Sequence, residues 1–248
     1  MRILLINSNT SELVTEKVLA GARLAASPGT ELAAVTSSFG PRVIASWSEN
    51  AIASHATIAL AAQHADACDA MVIAVSYDTG LRGARELLAI PVVGMTEAAL
   101  LTACMLGGRI GMIVFGRHVL PMYQDVVASY GLAGRVAGWR AIESAAPYSP
   151  GAHDELDRVI VGEARDLVER DCAEVIVLTG AVMAGVPARL QPQVAVPMLD
   201  GISCGVRQAE LLASARYPKP RQGSFSHPGR RELVNVGEAI ARRYGAGA

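Results

Sequence analysis

The stretch Asp69-Ala70-Met71-Val72-Ile73-Ala74-Val75 is a short apolar run with small or β-branched side chains at most positions. A similar run, Ala173-Glu174-Val175-Ile176-Val177-Leu178, follows about 105 residues later. Runs that are apolar at both odd and even positions are typical of strands covered on both faces of a parallel sheet. The two stretches therefore predict buried strands in two similar halves of the chain.

Other segments repeat in the same order and at nearly the same spacing. Arg2-Ile3-Leu4-Leu5-Ile6 is similar to Arg109-Ile110-Gly111-Met112-Ile113, and Pro91-Val92-Val93-Gly94-Met95 is similar to Pro197-Met198-Leu199-Asp200-Gly201. A constant spacing across several segments favours an internal duplication. We expect residues 1–100 together with about 205–248 to form one lobe, and residues 101–204 to form the other.

Short apolar runs alternate with alanine-rich segments along the whole chain. The strands we predict are Arg2–Ile6, Met71–Val75, Pro91–Gly94, Arg109–Phe115, Glu174–Leu178 and Val194–Leu199. The helices we predict open at Asn9, which has capping-box spacing to Glu12, and cover roughly Asn50–Ala67, Pro121–Tyr130 and His153–Arg170. This alternation predicts an α/β protein with two similar Rossmann-like lobes, parallel sheets, pseudo-twofold symmetry and a cleft between the strand ends.

Composition excludes several classes of function. The 248 residues carry 22 Lys+Arg against 23 Asp+Glu without a basic stripe, which argues against a nucleic-acid partner. The most apolar stretch, Pro91–Gly108, is interrupted by Glu97 and two threonines, whereas a bilayer span needs about 20 apolar residues. The N-terminus lacks a signal-peptide pattern, and the four cysteines and five histidines lack disulfide or metal-site spacing. We expect a cytoplasmic protein without a bound metal.

Three loops that follow predicted strands carry the polar and glycine residues of a ligand site. They are Asn7–Ser11, Ser76–Leu81 and Thr179–Gly185. Short amide and hydroxyl side chains at a helix start form an anion site, and glycines let the backbone approach a ligand. Each loop taken alone is also typical of ordinary helix capping or tight packing.

Taken together and in order, the motifs resemble a known family. Ile6-Asn7-Ser8-Asn9-Thr10-Ser11 resembles I-N-P-N-T-S, Asp78-Thr79-Gly80-Leu81 resembles D-P-G-L, and Pro91–Ala99 resembles P-V-V-G-x-x-E-A-A. Val177–Gly185 resembles V-L-G-C-A-G-M-A-G, and Val196–Gly201 resembles V-P-V-I-D-G. These motifs are similar to those of the hydantoin and allantoin racemase branch of the aspartate/glutamate racemase superfamily, over most of residues 1–215.

The resemblance implies a cofactor-independent 1,1-proton transfer at an acidic carbon of a small carboxylate or cyclic amide. In the family, one cysteine from each lobe flanks the C–H bond, and the proton leaves to one thiolate and returns from the other thiol. Cysteine suits this task because its ordinary pKa, about 8.5, lies near working pH. The resemblance implies that Asn9, Thr79, Thr179 and nearby backbone N–H groups hold the developing enolate.

This chain departs from the family at both thiols. Without gaps, the first cysteine position is occupied by Val75 and the second by Gly180. The chain's own cysteines precede strands or fall in predicted helices, and we interpret all four as structural; they are Cys68, Cys104, Cys172 and Cys204. The alternatives to racemisation are decarboxylation or lyase chemistry in the same cleft, or a non-catalytic protein that binds small anions.

Without thiols, other side chains must move the proton. Our catalytic candidates are Tyr77 as a donor, Asp78 as a base if it points inward, and His118 at the strand-end rim of the second lobe. Helix capping is the alternative role for Asp78, and simple surface exposure for His118. The substrate-binding candidates are Asn9, Thr10, Ser76, Thr79, Gly80, Glu97, Phe115, Gly116, Arg117, Thr179 and Gly180.

The C-terminal segment Pro218–Arg231 is rich in proline, glycine and basic residues. This composition predicts an extended arm that packs on the body of the protein or on a neighbouring subunit. Together with the alanine-rich helices, the arm favours a homo-oligomer.

Overall fold

The computed structural model describes residues 1–143 and 153–245. Parts of both predicted lobes, residues 144–152 and 246–248, therefore lie outside the described residues. The strands are β1 (Arg2–Asn7), β2 (Glu31–Thr36), β3 (Ala70–Ile73), β4 (Val92–Gly94), β5 (Ile110–Phe115), β6 (Val136–Ile142), β7 (Val175–Leu178) and β8 (Met198–Asp200). The helices are α1 (Glu12–Ala25), α2 (Trp47–His64), α3 (Leu81–Leu87), α4 (Met95–Leu106), α5 (Leu120–Ser129), α6 (His153–Asp171), α7 (Val186–Leu190), α8 (Gly201–Ala215) and α9 (Glu238–Gly245).

The strands form two four-stranded sheets with the same topology. The first has the order β2-β1-β3-β4 and the second the order β6-β5-β7-β8, and the paired strands run parallel in both. The central strands are buried on both faces, with Ile3, Leu5 and Ile113 fully inaccessible to solvent. The prediction of two similar parallel α/β lobes is confirmed.

Two strands that the sequence analysis missed, β2 and β6, form one edge of each sheet. Most of their residues are only half buried, so the apolar signal of a fully covered strand is weak in both. In β6 the strand also carries Arg140, whose guanidinium pairs with Asp171 and Glu163 on α6. A charged side chain in the run hides such a strand from a search for apolar segments.

The first helix begins later than the capping-box spacing predicts. Helix α1 starts at Glu12 with Ser11 in the N-cap position, so the prediction of a start at Asn9 is wrong. Asn9 instead accepts hydrogen bonds at its Oδ1 from Asn7 Nδ2 at 3.0 Å and from the Ser11 N–H at 2.9 Å. These side-chain bonds compete with the helix for the backbone and hold residues 8–11 as a loop.

Helices α4 and α8 are exchanged between the lobes. Helix α4 follows β4 in the chain but also packs on β5, β7 and β8, whereas α8 follows β8 but also packs on β1, β3 and β4. The two helices pack against each other, and a Cβ at Gly201 would lie 2.7 Å from the Met95 carbonyl oxygen. A glycine is therefore needed where α8 crosses the start of α4.

The C-terminal arm packs on the first lobe of its own chain. Lys219 Nζ donates to three carbonyl oxygens near the end of α3, those of Arg85, Glu86 and Leu88, at 2.6–2.8 Å. Helix α9 then packs on α2, where Arg243 bonds to Asp66 and to the Ala62 carbonyl. Among the described residues, no helix is both long and apolar enough to cross a membrane.

Candidate active site

A cavity of about 460 Å³ lies between the two sheets, at the carboxyl ends of their strands. Loops after β1, β2, β3, β5 and β7 all reach it, as expected where parallel strands end. It is lined by Asn9, Ser11, Val14, Arg42, Val43, Ile44, Ala45, Ala74, Val75, Ser76, Tyr77, Phe115, Gly116, His118, Val119, Tyr123, Glu143, Gly180, Ala181 and Val182. A cavity of this size accommodates a small organic ligand.

The floor of the cavity joins the two lobes. The Gly180 N–H, in the loop after β7, donates to Ser76 Oγ in the loop after β3 at 3.1 Å. Gly180 has φ +95°, a backbone conformation that residues with side chains rarely adopt. A Cβ at this position would meet its nearest atom, Met183 Cγ, at 3.6 Å, so the backbone conformation rather than space favours glycine.

Tyr123 of α5 is the centre of a group of hydroxyls. Its side chain is buried, its ring centroid lies 4.9 Å from that of Tyr77, and the hydroxyls of Ser76, Thr179 and Tyr77 interact with its phenol. Burial raises the pKa of Tyr123, and the three hydroxyls oppose part of that rise. Burial also raises the pKa of Tyr77. Both phenols are therefore neutral at physiological pH and act as proton donors.

Thr179 contributes a hydroxyl with no conventional hydrogen bond. Its side chain is 3% exposed, and Oγ1 has no partner of normal hydrogen-bond geometry within the described part of the chain, although it faces the Tyr123 phenol. An unsatisfied buried polar group costs about 1–3 kcal/mol. Thr179 does not itself line the cavity, so its hydroxyl is available to the Tyr123 phenol at the cavity floor.

The rim of the cavity carries the charged and amide groups. Asn9 Oδ1 accepts hydrogen bonds within its own loop, so its Nδ2 is available to a ligand. Glu143 Oε1 accepts from the Arg117 N–H at 2.7 Å. His118 and Arg42 are exposed at the mouth. Positive, negative and titratable side chains therefore surround the entrance, whereas the floor holds neutral hydroxyls.

Asp78 does not line this cavity. Its carboxylate accepts from the N–H groups of Thr96 (3.0 Å) and Glu97 (2.8 Å) and from the Tyr130 hydroxyl (2.7 Å). Its φ of +49° turns the side chain toward the start of α4, so the interpretation of Asp78 as a base facing the cleft is wrong. The carboxylate caps α4 and not α3, the helix that follows its own loop. Burial, the largest effect, raises the pKa of Asp78 to about 7.

Several other candidates also lie away from the cavity. Glu97 pairs with Arg85, and the Thr79 hydroxyl donates to Asn50 Oδ1 at 2.7 Å. Thr10, Gly80 and Arg117 are also absent from the lining. Seven candidates do line the cavity, and Thr179 lies beside them; the seven are Asn9, Ser76, Tyr77, Phe115, Gly116, His118 and Gly180.

Three polar or charged lining residues lie outside the predicted loops and were not predicted: Tyr123, Arg42 and Glu143. Tyr123 is the fourth residue of α5 and not part of a strand-end loop, and no local sequence motif marks it as a site residue. Arg42 lies in the long loop after β2, a half-exposed strand with a weak apolar signal. Glu143 directly follows β6, the other strand that was missed.

The four cysteines are remote from the cavity. Cys68 and Cys172 precede β3 and β7, Cys104 lies in α4, and Cys204 is buried in α8. Burial raises the pKa of Cys68 to about 11 and that of Cys204 to about 12, so these two are unreactive thiols. In the described ranges, no three His, Cys, Asp or Glu side chains are grouped as a metal site would require.

Comparisons with known proteins agree with this architecture. Residues 3–209 match the family model described as Asp/Glu/Hydantoin racemase. The chain is 31% identical to the hydantoin racemase of Pseudomonas sp. (strain NS671), over 98% of both chains, and 30% identical to that of Rhizobium meliloti, over 92% of this chain and 95% of the relative. The structure of allantoin racemase from Klebsiella pneumoniae superimposes with a TM-score of 0.90 at 28% identity, covering 97% of this chain and 98% of that one. These relatives support a racemase-type enzyme.

Proposed function

Because the chain belongs to the Asp/Glu/Hydantoin racemase family, we propose that it acts, without a cofactor, at an acidic carbon of a small carboxylate or cyclic amide. Relatives named hydantoin and allantoin racemases make cyclic amides of the hydantoin type the first substrates to consider. The intermediate is an enolate, and the family's two thiols are absent from the positions of Val75 and Gly180. The main support for the proposal is the cluster of hydroxyl side chains around Tyr123 at the cavity floor.

The floor is suited to an enolate because negative charge develops on a carbonyl oxygen when the C–H proton leaves. Ser76 Oγ already accepts from the Gly180 N–H, so its own proton is available for a ligand. The Tyr123 phenol and the Thr179 hydroxyl lie beside it and complete this polar floor, and Thr179 makes no conventional hydrogen bond among the described residues. Fixed donors in a site shielded from water stabilise such a charge strongly, often by more than 100-fold in rate for one donor.

The walls of the cavity suit the rest of a cyclic substrate. One part of the lining is apolar, with Val75, Phe115 and Val182 among its residues, and it can hold a ring substituent. Asn9 also lines the cavity, and its Nδ2 can donate to a second carbonyl of a cyclic amide. Thr79, which the resemblance assigns to the enolate, is bonded to Asn50 and takes no part.

For the proton transfer, His118 places an imidazole at the mouth, and imidazole is the commonest acid and base in enzymes. Tyr77 is a neutral donor nearer the floor. A second candidate function, decarboxylation or related lyase chemistry, is favoured by the neutral state of the floor phenols. Loss of carbon dioxide creates the carbanion without a base, so one proton donor is enough.

Deuterium uptake from heavy water, followed by NMR, tests the proposal. The panel contains allantoin, 5-substituted hydantoins, aspartate, glutamate and malonate derivatives, with His118→Ala and Tyr77→Phe compared with the wild type. Enzyme-dependent exchange at one carbon, or release of carbon dioxide from a malonate, is the expected result. Ligand binding without any turnover would instead support a small-anion binding protein.

We also propose a cytoplasmic homo-oligomer. Leu101 and Met105 on α4 and Leu211 on α8 are exposed on two helices that pack together, and exposed apolar side chains of this kind favour subunit contacts. Sedimentation of the purified protein at several concentrations measures the oligomeric state, and a monomer throughout would contradict the proposal.

A further inference from the structure

We propose that Tyr123 is the proton donor of the reaction. This inference rests on the proposed function and assigns the transfer to a residue on a helix rather than to the strand-end loops. Tyr123 lines the cavity from α5, its side chain is buried, and its phenol lies beside the Gly180-bonded hydroxyl of Ser76. It therefore touches the same space in which the floor donors can hold an enolate.

The surroundings of its phenol distinguish Tyr123 from the buried Tyr77 and the half-buried Tyr130. Hydroxyls from both lobes, those of Ser76, Tyr77 and Thr179, face the Tyr123 oxygen and stabilise the phenolate left after proton release. Tyr130, in contrast, donates to the carboxylate of Asp78, which opposes ionisation of that phenol. The neighbours of Tyr77, including Glu49 and Tyr123 itself, also oppose its ionisation.

One charged group opposes release of the proton from the Tyr123 phenol. The carboxylate of Asp78 lies near enough to raise the pKa of Tyr123, although it is turned toward α4. The three hydroxyls act in the opposite sense, and the Thr179 hydroxyl makes no conventional hydrogen bond elsewhere among the described residues. A negative charge on Tyr123 would give that hydroxyl a strong acceptor.

The transfer balances with water as the only other reactant. The electron pair of the enolate forms a C–H bond to the proton of Tyr123, the phenol O–H bond breaks, and its electron pair stays on the phenolate. In decarboxylation, water entering by the mouth returns a proton to the phenolate, and the hydroxide left combines with the released carbon dioxide as bicarbonate. In hydrogen exchange, the phenolate removes the C–H proton and leaves the electron pair on the enolate, the phenol exchanges its proton with water, and a solvent proton returns to the same carbon, which restores the phenolate. Because one group serves one face of the substrate, hydrogen exchange proceeds faster than inversion.

The test compares Tyr123→Phe with Tyr217→Phe, a phenol that is 76% exposed on the C-terminal arm. We expect Tyr123→Phe to lower the exchange rate about 100-fold or more, with KM changed less than threefold, and Tyr217→Phe to leave it unchanged. In the wild type, the exchange rate should rise about tenfold per pH unit into the alkaline range, because the phenolate is the base. A fluorinated tyrosine at position 123, with a more acidic phenol, should move this profile to lower pH.

The outcomes separate this inference from the proposed function. Wild-type protein that neither exchanges nor decarboxylates any substrate of the panel overturns both. Wild-type exchange that survives in Tyr123→Phe, or whose pH profile is unmoved by the fluorinated side chain, overturns the role of Tyr123 alone. A lower melting temperature or a higher KM in Tyr123→Phe, with kcat unchanged, would assign the residue a structural role and contradict the inference.

Discussion

Ser76 Oγ and the Gly180 N–H are joined at 3.1 Å, so the loop after β3 and the loop after β7 meet at the floor of one cavity. The contact fixes the Ser76 hydroxyl as an acceptor from the second lobe and points its proton elsewhere, toward Tyr123 or a ligand. The two halves of the chain thus share a single polar group at the place where their sheets face each other.

Removing that hydroxyl should affect catalysis more than folding. We expect Ser76→Ala to lower kcat about 100-fold, because an oxyanion donor is lost, while unfolding free energy falls by only about 1 kcal/mol. Steady-state kinetics and urea unfolding measure the two effects. Ser214→Ala, an exposed serine at the end of α8, is the control. A Ser76→Ala enzyme with wild-type kcat would contradict the role of this donor.

Asp78 should make stability depend on pH in the direction opposite to an ordinary salt-bridged carboxylate. Its pKa is raised from 3.8 to about 7, so the folded state favours the protonated form. The resulting stabilisation is complete below about pH 4 and is lost as the pH rises through 7.

Urea unfolding at pH values from 4 to 7 checks this dependence. Relative to Asp78→Asn, the wild type should lose unfolding free energy across the range, by up to about 4 kcal/mol. At pH 4 the asparagine variant is expected to be less stable than the wild type, because one amide oxygen replaces two acceptors for Thr96 and Glu97. Parallel curves for the two proteins would show that Asp78 titrates normally.

Any side chain at position 180 should lower the free energy of unfolding, although there is space for it. Gly180→Cys and Gly180→Ala are expected to lose a similar 1–3 kcal/mol, roughly, because the strain comes from φ +95° and not from the size of the side chain. Thermal unfolding compares them with Gly134→Ala, a glycine with no atom within 4 Å of the added Cβ. If the cysteine variant matched the wild type in stability, the backbone argument would be wrong.

Lys219 should hold the C-terminal arm. Lys219→Met removes three hydrogen bonds to the end of α3 and is expected to expose residues 216–237 to limited proteolysis. The unfolding free energy should fall by about 1–3 kcal/mol, because the carbonyls lose their partner. Arg221→Met, an exposed change nearby on the same arm, provides the matched control. Equal rates of cleavage in the two variants would exclude an anchoring role.

The sequence predicted the parts of the fold that depend on burial alone. The central strands β1, β3, β5 and β7 are apolar on both faces and were found, whereas the edge strands β2 and β6 are half exposed and were missed. The same division holds at the site. The loops at the strand ends were predicted correctly. The side chain of Asp78, at a positive φ, points away from the cavity, and that of Tyr123 reaches the cavity from a helix. No short sequence motif encodes where either side chain points.

The exchange of α4 and α8 limits how this protein can open. Each of the two helices bridges both sheets, so a hinge motion that drew the sheets apart would shear both helix–sheet contacts at once. Where α8 crosses the start of α4, Gly201 packs so closely against Met95 that a side chain at position 201 would clash with it. Substrates must therefore enter and leave past the loops of the mouth, where Arg42, His118 and Glu143 lie, and release is governed by these side chains rather than by separation of the lobes.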